Sequence, residues 1–217
     1  MTTTKLGHGL YDAAEVARLM GHPVDWVVRW STASANGPAI VEPTFERWFS
    51  FADLVSFRVA LTVRQKGIAD RDLRRGIQTL QGRTGLARPL AVTTVIESLA
   101  TSGNSFLSDL SGEFEDIGKG GQGVFQNVVR LNLTRISFDD HGNAERWEPA
   151  KGVVIDPAIQ AGAPCVAGTR IPTATIGEML AESDAEDLAL DFDISVEAIE
   201  LAAAFEELLD RKVGLAA

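Results

Sequence analysis

The chain has 217 residues, of which 45% are hydrophobic and 23% charged, which suits one large domain or two to three small ones. A single cysteine excludes an intrachain disulfide and a thiolate-rich zinc site. Net charge is −10 but unevenly laid out: Lys+Arg against Asp+Glu number 12 and 8 in residues 1–88, 4 and 9 in 89–150, and 4 and 13 in 151–217.

A basic first part and an acidic last part suit a polyanion and a basic partner respectively, and equally suit two solvated faces. His8, His22 and His141 are scattered without ligand spacing, so neither a metal nor another cofactor is expected. There is no apolar run of about 18 residues, and no apolar core near the first residues, so the expectation is a cytoplasmic protein that does not enter a membrane.

In chain order, Leu10–Ser31 reads as two short helices. Asp12 is an N-cap for Ala13–Met20, with Val16, Ala17 and Met20 on one side. Gly21 supplies a left-handed residue to end that helix, and Pro23 opens a second through Trp26, Val27 and Trp30. The small Ala17, with a turn glycine four residues later, has the spacing of a helix-turn-helix. Its second helix then presents Asp25, Arg29 and Ser31 to solvent or to a major groove. Asn36-Gly37-Pro38 is a turn signal, and Ala39-Ile40-Val41 after it suits a hairpin wing. Ser50 caps a helix over Phe51–Gly67, and Asp70 caps another whose Leu73, Ile77 and Leu80 form a buried stripe.

This order, with the run F-x-x-L-V-x-x-R-x-x-x-x-x-R-x-x-G-I at Phe51–Ile68, resembles the DNA-binding half of MerR-type regulators over residues 10–84. The resemblance implies a winged helix-turn-helix that binds DNA. Arg29 on the recognition helix is the candidate for base readout, beside Asp25 and Ser31, and Arg47 near the wing is the candidate for the DNA backbone. Arg58, Arg64, Lys66, Arg71, Arg74 and Arg75 are further phosphate candidates, although Arg71–Arg75 also fits a solvated helix face. No long coiled-coil helix follows, unlike MerR proteins proper, so two-fold symmetry would come from elsewhere.

Residues 85–150 read as a small α+β connector. Pro89–Thr94 and Ser105–Leu110 are strand candidates, and Val124–Leu133 is a strand or short helix. Gly118–Gly123, GKGGQG, lacks Walker spacing and reads as a loop. Arg135–Asp139 alternates as a strand, Asp140–Asn143 is a hairpin turn, and Ala144–Trp147 returns.

Gly152–Leu180 packs three prolines and four glycines among short apolar runs, which marks a tightly turned element rather than a linker. Val153–Ile155 and Cys165-Val166 are short strands, and Thr173 is the expected N-cap of a helix from about Ala174. Two further helices, Ser183–Asp191 and Ser195–Leu209, begin at Ser183 and Ser195 with acids in their first turns. The run I-D-P-x-I-x-x-G-x-P-x-V-x-G-T-R-I-P-T, Ile155–Thr173, resembles the signature of the "domain of unknown function 433" family, a likeness that extends over about 153–209. It implies a small homeodomain-like three-helix domain of a kind found repeatedly in antitoxins of toxin–antitoxin pairs. Cys165 and Ala167 depart mildly from that pattern.

The expected fold is therefore mainly α with small β elements: a winged helix-turn-helix over 10–84, a small α+β region over 85–150, and a homeodomain-like three-helix domain over 151–211. No nucleophile with a base, no H-E-x-x-H and no nucleotide loop is visible, so catalysis is not expected. Both modules together resemble VapB-type antitoxins. That implies a homodimer that represses its own operon through operator DNA and neutralises a toxin of PIN-like ribonuclease type. Arg170 and Arg211 are the candidates to occlude the toxin's acidic site, and alanine-rich Ala202–Ala204 suits dimer packing. The alternative is a stand-alone MerR-like regulator whose middle region senses a small ligand.

Overall fold

The computed structural model describes residues 7–35, 37–65, 67–101 and 135–216. The strand expected at Ser105–Leu110, the strand or short helix at Val124–Leu133 and the Gly118–Gly123 loop lie outside them, as do Asn36 and Lys66. The described elements are helices α1 (Ala13–Met20), α2 (Val24–Ser31), α3 (Phe51–Arg64), α4 (Asp70–Thr84) and α5 (Thr93–Thr101), then strands β1 (Ile136–Phe138), β2 (Ala144–Ala150), β3 (Val153–Ile155) and β4 (Cys165–Val166), then helices α6 (Thr173–Met179), α7 (Ala185–Phe192) and α8 (Val196–Ala216). The fold is helix-rich with one four-stranded antiparallel sheet in the order β1-β2-β3-β4. No helix among the described residues is long and apolar enough to cross a membrane.

Local chemistry sets most helix ends. Asp12 accepts from the Glu15 amide at 2.8 Å and Glu15 reaches back to the Asp12 amide at 2.7 Å, a reciprocal capping box. Gly21 ends α1 at φ 68°, ψ 43°, a left-handed conformation that a side chain would strain. Ser50 and Asp53 form a second capping box at the start of α3. Elsewhere the caps shift by one residue: Ala69, Pro172 and Asp184 precede α4, α6 and α7, where Asp70, Thr173 and Ser183 were expected. Thr173 is instead the first helical residue and fully buried, donating its hydroxyl to Glu206 and, at 3.3 Å, to the Pro164 carbonyl.

Two expectations are corrected. Residues 32–50 contain no ladder of strands among the described residues, only the isolated bridges Ser34–Gly37, Phe45–Trp48 and Tyr11–Phe49, so the strand pairing expected of a hairpin wing is not seen there. Ala39, Ile40 and Val41 are buried, and the Ile40 and Val41 amides both donate to the Trp30 carbonyl. Pro89–Thr94 is not a strand either: Pro89–Ala91 makes a 3₁₀ turn and α5 begins at Thr93. Val95, Ile96 and Leu99 are buried at helical spacing, which outweighs the β-branched composition of the run.

The largest core runs through α1–α5 and continues into the sheet by way of Ile136, Trp147 and Ile155. Trp147 on β2 pairs with both Ile136 on β1 and Ile155 on β3, so the sheet joins segments on either side of residue 150. A second core, Val166, Ile176, Leu188, Ala189, Ile199 and Ala202, holds α6, α7 and α8 together. A third, Val153, Phe205 and Leu209, takes in Leu19 of α1. The largest core therefore has members on both sides of residue 84 and of residue 150.

Candidate nucleic-acid interface

Helix α2 lies on the outside of the molecule with a sharply divided surface. Trp26, Val27 and Trp30 are buried, and Trp26 is sandwiched between the His22 ring, centroids 4.3 Å apart, and Trp30 at 4.2 Å. Trp30 and Trp26 both reach Phe57 of α3, and Trp30 donates its indole N–H to Asp70 at 3.3 Å. The aromatic stack is what fixes the helix, and the opposite arc carries Val24, Asp25, Val28 and Arg29 into solvent. Asp25 and Arg29 are exposed as expected, whereas Ser31 sits on the shoulder and turns its hydroxyl onto the Val28 carbonyl at 3.3 Å.

Arg74 has a different place from the one expected. It is 3% exposed, and its guanidinium donates to the carbonyls of Arg29 at 2.7 Å, Thr32 at 3.0 Å and Pro38. Those acceptors are the end of α2 and the loop after it, which otherwise leave carbonyls without intrahelical partners. Arg74 is thus a clamp that sets the pose of α2 and has no surface to offer a polyanion. Its neighbour Arg75 is exposed, and so is Arg71, whose side chain lies 3.3 Å from Asp72.

Between α2 and the α3–α4 corner lies an open groove of about 880 Å³. Its walls include His22, Val24, Asp25 and Arg29 on one side and Arg64 with Asp70 on the other. Arg64 and Asp70 are paired at 2.5 Å with both side chains partly exposed, an arrangement worth little in water and open to exchange of the anion. Burial, with the Arg29 charge as a second cause, lowers the His22 pKa below its ordinary value and keeps the ring neutral beside the groove. Arg58, half-buried on α3, has its pKa lowered by burial and by Arg135 nearby. Arg47 is exposed on the Phe45–Trp48 turn, its guanidinium 5.6 Å from the Trp48 ring centre.

The loop carrying Arg47 is tied down from beneath. Asp53, with no exposed surface, accepts from the Ser50 amide at 2.8 Å, the Thr44 amide at 2.9 Å, the Thr44 hydroxyl at 2.7 Å and the Arg88 guanidinium. Arg88 also donates to the Glu42 carbonyl at 2.6 Å. A buried carboxylate with four donors and a counter-charge is fully satisfied and rigid.

At the other end of the chain, Arg170 is exposed in the turn before α6, and its carbonyl accepts from Gln160 at 3.0 Å. Arg211 on α8 is exposed and 3.3 Å from Glu207, one turn away. The structure does not bring Arg170, Arg211 and the α2 face to one site. What it does join is α1 to α8: Arg18 contacts Glu206 and Asp210, each at 2.7 Å, and Glu206 in turn accepts from Thr173. Tyr11 donates to the Gly162 carbonyl at 2.9 Å, and burial raises its pKa so far that the phenol stays protonated. The Tyr11 and Arg18 links connect residues 151 to 192 positions apart and no local pattern announces them.

Residues 153–205, from β3 into α8, match the family model described as "Protein of unknown function (DUF433)". This segment is a DUF433 domain. Its last helix continues beyond the match to Ala216. The crystal structure of Rv2018 from Mycobacterium tuberculosis is similar in fold, with a TM-score of 0.65 at 22% identity, over 88% of this chain and 96% of that one. At that identity the likeness is one of fold. No curated protein matches the chain.

Within the DUF433 domain the signature residues have structural work. Gly162 has φ +90°, and a Cβ there would collide with the Tyr11 hydroxyl. Thr169 closes its own turn, its hydroxyl donating to the Val166 carbonyl at 2.9 Å and accepting from the Ile171 amide at 3.0 Å. Cys165 is buried, and burial raises its thiol pKa, so it is a small core residue rather than a nucleophile. The exterior of the domain is acidic, with Glu186, Asp187, Asp191, Glu197, Glu200 and Glu207 all exposed.

Proposed function

We propose that this protein is a DNA-binding antitoxin. Its helix-turn-helix binds operator DNA of its own operon, and its DUF433 domain takes part in neutralising a cognate toxin of PIN-like ribonuclease type. The observation that carries the DNA half is the outward arc of α2: Arg29 and Asp25 in solvent, Arg64 across the groove, Arg71 and Arg75 exposed on α4, and the whole helix held in one pose by the Arg74 clamp and the tryptophan stack. A rigid exposed helix with a basic rim is what groove binding needs, because phosphate contacts position the protein and base contacts specify the site. Homodimerisation would place two such helices on a two-fold symmetric operator.

The acidic exterior of the DUF433 domain supports the second half, since it favours a basic surface on a partner. Arg170 and Arg211 are the exposed cations there that reach an acidic ribonuclease site, Arg211 by giving up its weak surface pair with Glu207. The protein acts by binding in the cytoplasm and not by catalysis. Expression of the adjacent open reading frame alone should arrest growth, and co-expression with this chain should restore it and yield a co-purifying complex. A neighbour that is harmless alone and never co-purifies removes the antitoxin half. A regulator with a ligand-sensing middle region would then remain, sharing the DNA site but needing no protein partner.

A further inference from the structure

Four large apolar side chains stand out in solvent among the described residues: Val24 at 44%, Val28 at 49%, Leu190 at 81% and Leu208 at 42%. The first two lie one turn apart on α2. At about 100° per residue, Val24, Val28, Asp25 and Arg29 fill a single arc of about 140°, opposite the buried Trp26, Val27 and Trp30. The two valines add nothing to the core, and β-branched residues are poorer helix formers than the alanine or lysine a solvated face would carry. Both lie beside Arg29 on the exposed arc, Val24 also on the wall of a groove rimmed by Arg64, which fits an occupant that is anionic at its edges and apolar at points within. B-DNA has one such feature in its major groove, the 5-methyl group of thymine.

Resting on the DNA-binding reading above, we infer that Val24 and Val28 are specificity-determining residues that read the 5-methyl groups of two thymines next to the base edge taken by Arg29. Four helical residues rise about 6 Å and a base step about 3.4 Å, so the two thymines lie about two steps apart in each half-site. Sequence reading passed over both residues because polar side chains are the usual signal of base readout. The signal that was available is the pair of valines at i and i+4 off the buried stripe.

The probe is a duplex from the region upstream of the protein's own gene, limited to the segment protected from nuclease digestion. Each thymidine in it is replaced singly by deoxyuridine, which removes only the methyl group. Two positions per half-site should weaken binding by about fourfold each, the worth of one buried methyl. Val24→Ala should abolish the effect at one position and Val28→Ala at the other, with circular dichroism unchanged because alanine suits an exposed helix. Protected DNA with no methyl-sensitive thymine, or valine variants that keep both sensitivities, overturns the inference and leaves DNA binding standing. Absence of any protected segment instead brings down the DNA-binding reading, and this inference with it.

Discussion

Replacing Arg74 by methionine tests whether the most buried arginine of the candidate interface holds the fold or touches DNA. The substitution keeps an apolar stem of similar length and removes the donors to the carbonyls of Arg29, Thr32 and Pro38. At about 1 kcal/mol net for each bond, less a part returned because no charge need be desolvated, the loss is about 2–3 kcal/mol. In a chain of this size each kcal/mol moves Tm by about 2–4 °C, so Tm falls by roughly 4–12 °C. Arg74→Lys keeps the charge but not the fork and should fall between wild type and methionine. Thermal unfolding followed by circular dichroism gives these values, and DNA titrations at several salt concentrations accompany them. Because Arg74 acts through the pose of α2, affinity drops while the slope of log K against log salt stays at the wild-type value. A phosphate contact would instead lower that slope by about one. An unchanged Tm with a slope lowered by about one refutes the clamp.

Other substitutions probe the supports around the site. Arg88→Ala strips the counter-charge from fully buried Asp53 and should cost about 3–5 kcal/mol in urea unfolding, whereas a loss below 1 kcal/mol would mean that the Thr44 and Ser50 donors suffice. Gly162→Ala drives a Cβ into the Tyr11 hydroxyl at φ +90° and should cost about 1–3 kcal/mol, with Tyr11→Phe recovering part of it in the double variant. His22 has its folded pKa below the unfolded value of about 6.5, so the unfolded state takes the proton more readily. Its contribution is complete above that pH and declines as pH falls through it toward the folded pKa. Tm measured across that window should fall less steeply in His22→Asn, and identical profiles would remove the linkage.

What was legible in the sequence was local. Asp12, Gly21 and Ser50 act within three or four residues of themselves, and each ends or starts a helix as its chemistry requires. Val153–Ile155, Cys165-Val166 and the Ile155–Thr173 motif were equally visible, because turn residues a few positions apart determine that segment. Arg74 was not, since an arginine in the run RDLRRG reads as solvated until the carbonyls 36 to 45 residues before it are brought beneath α4. The missing strand at Ala39–Val41 has the same origin: the run has strand composition, but the Trp30 carbonyl and the core claim its backbone and side chains. Of the candidate contacts, Arg29, Asp25, Arg47 and Arg75 lie exposed, Ser31 is half-buried and Arg74 is enclosed. The Arg18–Glu206 link from α1 to α8 depends on two helices 188 positions apart and had no signal at all.

The central claim is that α2 binds DNA through Arg29, and titration of the purified protein onto DNA from upstream of its own gene tests it most directly. Binding should be specific over unrelated DNA of equal length and should weaken steeply with added salt. Arg29→Ala should lose about 1–3 kcal/mol of specific affinity while its Tm stays at the wild-type value. Equal affinity for both DNAs, or an Arg29→Ala variant that binds as wild type does, contradicts the account.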